Sequence, residues 1–227
     1  MVDRAHAAWR DGSVAGVLLM DIKAAFPSVG RGILVHTMKG KGIDEDLIRW
    51  TASFLSDRTV EMVIEANVME RRPVESGIPQ GSPLSPILFP IYTSGLIKWV
   101  EERVSRIDGL SFMDDVGWMA TGSDVIQVVR KMEFCARESL DWAERREREF
   151  DTANTKAAHF TRRHGHKKHL RPTLTAKIRV GNGFVRFNKE ATRWLGVWMD
   201  AHLTIKEHHN RGMQKARAAE ARLRSLP

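Results

Sequence analysis

The stretch Ser111-Phe112-Met113-Asp114-Asp115-Val116 decides how the chain is read. Apolar residues lead into two adjacent carboxylates and resume at once with Val116, Trp118 and Met119. Such runs read as strands, and Asp-Asp between them reads as the tight turn of a β-hairpin over 110–120. Asp is also a common turn residue for purely local reasons. A more distant carboxylate gives the pair its meaning. Asp21 ends the apolar run Val17-Leu18-Leu19-Met20, where a buried strand over 16–22 reaches its edge. Two strand ends carrying three carboxylates suit hard divalent cations. Mg²⁺ takes oxygen ligands, keeps several waters and shares the rest of its shell with substrate phosphates. Two such ions about 3.5–4 Å apart clamp the attacking and leaving oxygens of an in-line phosphoryl displacement. The chemistry expected is nucleotidyl transfer from a triphosphate.

Composition narrows the setting. The 227 residues are 42% hydrophobic, enough for one core and a small appendage. A net charge of +8 favours a polyanionic partner, most simply nucleic acid. The single cysteine, Cys135, excludes an internal disulfide framework, fits a reducing compartment and falls at a core position of a helical pattern. No apolar run approaches the roughly 20 residues of a membrane span. Met1-Val2-Asp3-Arg4 lacks the apolar region of a signal peptide. The expectation is an intracellular protein, nuclear or cytoplasmic, with no membrane partner.

Taken in order, residues 3–10 read as the tail of a helix broken by Asp11-Gly12-Ser13. A helix through Ile33, Leu34, Thr37 and Met38 stops at Gly40 and Gly42. Asp44 caps the next, with Leu47, Ile48, Thr51, Phe54 and Leu55 on one face. Val60, Met62 and Ile64 alternate with polar residues and pair with 68–75 in a hairpin around Asn67. The block Glu75 to Pro86, dense in Gly, Pro and Ser, opens one long helix over 83–104. Glycines let backbone approach a ligand, and a helix N-terminus favours anions. Pro90 is out of place inside that helix. A helix begins after Gly122-Ser123-Asp124 with Val125, Val128, Val129, Met132 and Ala136 inward, and ends in the charged run 144–149, read as a solvated face. Strands follow at 156–161, at 177–187 around Gly181-Asn182-Gly183, and at 193–199. A basic helix over 204–226 carries Lys206, Arg211, Lys215, Arg217, Arg222 and Arg224. His164, His166 and His169 lack a nearby cysteine and sit among Lys and Arg, which argues against zinc.

In this order the motifs resemble the reverse transcriptase domain of a non-LTR, LINE-like retrotransposon, nearest to fungal elements. Met20 to Val29 resembles the family's first metal-binding motif, and Ser76 to Pro86 the motif supporting incoming nucleotide and template. Phe112-Met113-Asp114-Asp115 resembles its aromatic-x-Asp-Asp signature. Asp151 to Phe160 is similar to the lysine-bearing motif, and Trp194-Leu195-Gly196-Val197 to the primer grip. The resemblance implies an α+β polymerase palm: a central antiparallel sheet with helices packed on one face. It implies that Asp21, Asp114, Asp115 and the Ile22 carbonyl hold two Mg²⁺ ions, with Mn²⁺ as a substitute. Phe26 takes the steric-gate position against a ribose 2′-hydroxyl, and Gln80 and Gly81 meet the incoming nucleotide. The partners implied are an RNA template, a DNA primer and deoxynucleoside triphosphates.

Three features depart from the family pattern, the first being Pro90, which stands where a helix former is expected. Asn154 stands where its late motif has lysine, with Lys156 two positions on. Only about fifteen residues precede the first motif, where the family has its fingers. The expected division is a palm over 1–200, a partial copy without most of the fingers, and a basic helix over 201–227 that starts a thumb or connection. Two other readings stand beside the polymerase: a decayed, inactive palm remnant, and a maturase or telomerase relative with the same palm.

Overall fold

The computed structural model describes residues 1–65, 67–161 and 176–224, so the histidines at 164, 166 and 169 lie outside the described residues. Its elements in chain order are α1 (Val2–Arg10), β1 (Val14–Asp21), α2 (Arg31–Gly40), α3 (Glu45–Phe54), β2 (Thr59–Val60), β3 (Val63–Ile64), β4 (Asn67–Val68) and β5 (Arg72–Pro73). Then come α4 (Ser85–Thr93), α5 (Gly95–Glu101), β6 (Ile107–Phe112), β7 (Asp115–Gly122), α6 (Val125–Glu144) and β8 (Lys156–Phe160). The chain closes with β9 (Lys177–Val180), β10 (Gly183–Arg186), β11 (Thr192–Trp194), β12 (Val197–Met199) and α7 (Lys206–Arg224).

The centre is a four-stranded antiparallel sheet in the order β6-β7-β1-β8. β1 is buried from Val14 to Met20, because both of its faces are covered. Val14, Leu18, Met20 and Ile22 face the larger core, shared with α2, α4, α5 and α6. Ala15, Val17 and Leu19 face a smaller one, closed by Ala5 and Ala8 of α1 and by Met199 and Trp194 of the β11–β12 hairpin. The main helical layer therefore lies on one face, as the sequence suggests, and α1 with a hairpin adds a thin cover on the other. Burying side chains such as Trp118, Leu18 and Met132 contributes about 1.5–3 kcal/mol each.

Local chemistry sets the boundaries. Asp44 accepts from Asp46 N at 2.8 Å and Asp124 from Gln127 N at 2.9 Å, so both helix starts are side-chain capped. The single helix expected over 83–104 is two helices. Pro90, whose missing N–H costs only the bond to the carbonyl of Pro86, stays inside α4; the break comes at Ser94, whose N–H and hydroxyl both turn back on Ile91 O, at 3.4 and 2.7 Å. The hairpin expected around Asn67 turns one step earlier, since Asn67 pairs with Ile64. Its alternation does not bury a face: Val63 and Val68 are each 64% exposed. The charged run 144–149 is not wholly solvated either. Arg148 is buried, its Nε donating to Tyr92 Oη at 2.7 Å.

Candidate active site

The β6–β7 hairpin turns one residue earlier than Asp-Asp suggests. Phe112 pairs with Asp115, so Met113 and Asp114 form the turn, and Met113 takes the left-handed conformation at φ 54°. Asp115 is the first residue of β7, and its partner across the ladder is Asp21, the last of β1. The two carboxylates stand side by side where the apolar register ends, with Asp114 exposed beside them. Ile22 ties this end together: its N–H donates to Asp114 O at 3.0 Å, while Lys23 N and Asp151 N continue the ladder to Glu149 O and Asp21 O.

Electrostatics record the crowding. The Asp21 carboxyl is pushed above the ordinary carboxylate range first by burial, then by Asp114, Asp115 and Asp151. Asp115 is raised by burial and then by Asp114. Desolvation thus leads and like-charge repulsion follows. Lys156, at the start of β8 opposite Leu19, opposes both shifts with its charge. Asp151 is a fourth carboxylate that the motif reading passed over. Its Oδ1 accepts from Ala153 N and Asn154 N, and its Oδ2 from Asn154 Nδ2 at 2.6 Å. Asn154 is thereby committed to a turn, and the Asp-x-x-Asn spacing was its sequence signal.

Among the described residues no three His, Cys, Asp or Glu side chains form a ready cation cage. The donor set nonetheless fits Mg²⁺, which needs only one or two carboxylates and completes its shell with water and phosphate. Crowded, partly buried carboxylates are also the groups whose repulsion a cation relieves.

The remaining candidates stand on two loops. Phe26 is half-buried, its ring edge-to-face with Phe89 of α4 at 5.4 Å. Gln80 is exposed in a turn whose Ser82 N donates to Pro79 O at 3.3 Å. Gly81 has φ +91° with open space around it, so this turn needs glycine for conformation rather than for close approach.

A sequence profile of the family described as reverse transcriptase (RNA-dependent DNA polymerase) matches residues 1–199. The chain belongs to the reverse transcriptase family. Among curated relatives, it is 26% identical over 113 residues to the retrovirus-related Pol polyprotein from the type-1 retrotransposable element R2 of Popillia japonica. That match covers 46% of this chain and 19% of the relative. It is 23% identical over 209 residues to the RNA-directed DNA polymerase from the mobile element jockey of Drosophila melanogaster, covering 90% of this chain and 22% of that one. This reverse transcriptase chain thus spans about a fifth of the length of the curated relatives it matches. Among solved structures it is similar to telomerase from Candida tropicalis, in complex with a fragment of telomeric RNA. The TM-score is 0.57 at 14% identity, covering 90% of this chain and 32% of that one. That likeness carries the α+β palm-like fold.

Proposed function

We propose that this chain is the reverse transcriptase domain of a non-LTR retrotransposon, adding deoxynucleotides to a DNA primer on an RNA template. The observation that carries the reading is the Asp21–Asp115 pair closing the β1–β7 ladder, with Asp114 in the adjoining turn. The reaction forms a bond from the primer 3′-oxygen to the α-phosphorus and breaks the α–β phosphoanhydride, releasing pyrophosphate. Asp21, Asp114, Asp115 and the Ile22 carbonyl would hold two Mg²⁺ ions, or Mn²⁺ in their place. Such ions supply charge neutralisation for the triphosphate and activation of the attacking hydroxyl.

The chain's own residues position the reactants. Phe26, braced by Phe89, excludes a ribose 2′-hydroxyl by bulk. Gln80 and Gly81 present an exposed turn to the incoming nucleotide. Lys156 offers a cation beside the carboxylates for the leaving pyrophosphate, a role for which Asn154 has no charge. The net charge of +8 supports a nucleic-acid partner, and α7, with no buried residue, supports a division into a palm over 1–200 and the start of a thumb or connection after it. A fungal source and an intracellular site are part of the proposal and rest on sequence alone. Among the described residues no helix is long and apolar enough to cross a membrane.

Primer extension on an RNA template tests the reading. The expected result is deoxynucleotide incorporation that requires Mg²⁺ and is lost in Asp115→Asn. A folded chain that extends no primer would favour the inactive remnant.

A further inference from the structure

Phe26 and the Gln80 turn are held together by main-chain bonds. Gly77 N donates to Val29 O at 2.8 Å, Ile78 N to Phe26 O at 2.9 Å, and Ser76 Oγ to Pro27 O at 3.3 Å. The approach is close: a Cβ on Gly77 would lie 2.6 Å from Pro27 O, and Gly77 has φ +84°. The carbonyls of the same segment point elsewhere, and both meet one side chain. Arg58 Nη2 donates to Ser76 O at 3.0 Å and to Gly77 O at 2.5 Å.

Arg58 is itself anchored. Its Nε donates to Leu55 O at 3.4 Å, at the end of α3, and its carbonyl accepts from Val74 N at 2.8 Å. These side-chain bonds all go to backbone carbonyls, and Arg58 is half-buried. Charge-assisted bonds of this kind are roughly twice as strong as neutral ones. A guanidinium alone has the fixed fork that reaches a helix end and two successive carbonyls at once.

We infer that Arg58 is a positioning residue that fixes the 76–78 segment against the Phe26 loop and so sets how strictly the site excludes a ribonucleotide. The side chain touches no reacting atom; it acts through Gly77 and Ile78 on the backbone that carries Phe26. The inference rests on the polymerase reading for its consequence, and on hydrogen bonds alone for its geometry.

Two measurements test it on the full chain. The first is amide hydrogen exchange at Gly77 and Ile78, with Leu18 and Trp118 in the central sheet as internal references. In Arg58→Ala, exchange at Gly77 and Ile78 should quicken about tenfold, the cost of losing one to two net hydrogen bonds, with the references unchanged. Arg58→Lys, which keeps the charge but loses the fork, should fall between. The second is the ratio of kcat/KM for deoxynucleotide over ribonucleotide, expected to drop about tenfold in Arg58→Ala and to recover partly in Arg58→Lys. Unchanged protection at Gly77 and Ile78, or protection lost equally across the sheet, overturns the inference. An unmodified chain that incorporates neither nucleotide, with exchange altered as expected, overturns the polymerase reading and the sugar-selecting role while leaving the clamp in place.

Discussion

Asp21 and Asp115 stand at the end of a sheet whose two middle strands are buried along nearly their whole length, whereas Phe26 and Gln80 stand on loops joined by a few backbone bonds and one arginine. The sheet fixes its carboxylates redundantly. Register, two cores and the Ile22 bridge all agree, so no single apolar contact decides where Asp115 points. The loop pair has no such surplus. Three hydrogen bonds join the loops, and Arg58 braces one of them from the end of α3. Charge is concentrated where structure is redundant, and the two loops are held by few supports.

Four substitutions sharpen that contrast. Asp115→Asn should lower Mg²⁺-dependent extension more than about 10²-fold, the scale of removing one preorganised charge-stabilising group. The same change should raise stability. Both carboxyls are raised in the folded state, so folding favours their protonated form and their ionisation subtracts from stability at neutral pH. The melting midpoint of Asp115→Asn should exceed that of the unmodified chain at pH 7 without metal. That gap should close as pH falls through the raised values toward 3.8. Gly77→Ala should cost about 1–3 kcal/mol in denaturant unfolding, because the added methyl meets backbone that cannot yield.

Lys156→Ala should lower kcat about tenfold. It should also move the acid limb of the pH–rate profile to higher pH, since the charge that draws both carboxyls down is gone. Ile64→Thr, on the exposed ribbon, should change stability by less than about 0.5 kcal/mol.

The parts legible in the sequence are those where pattern and burial coincide. Val17 to Met20 reads as a buried strand because layers cover both faces, and Asp21 and Asp115 mark where they end. The ribbon over 59–73 has the alternation of a half-buried hairpin, yet nothing in the described structure packs on it, so period alone misleads there. The 144–149 run reads as surface by composition, but Arg148 turns inward to a tyrosine hydroxyl and a ring face 4.9 Å away. The helix divides at Ser94, where the N–H and the hydroxyl both turn back to Ile91 O, and not at Pro90, which α4 keeps inside it. Arg58 has no signal at all, since its partners are main-chain carbonyls 18 and 19 residues away. Backbone recognition leaves no trace in side-chain pattern.

Whether the sheet end takes a divalent cation is open to direct observation by adding substoichiometric Mn²⁺ to the labelled chain and following amide resonances. The account predicts that Asp21, Ile22, Asp114 and Asp115 broaden first, that Mg²⁺ competes the effect away, and that Asp115→Asn abolishes it at these positions. Broadening that begins elsewhere, for instance around Glu61 and Glu70 of the ribbon, or that survives unchanged in Asp115→Asn, would contradict it.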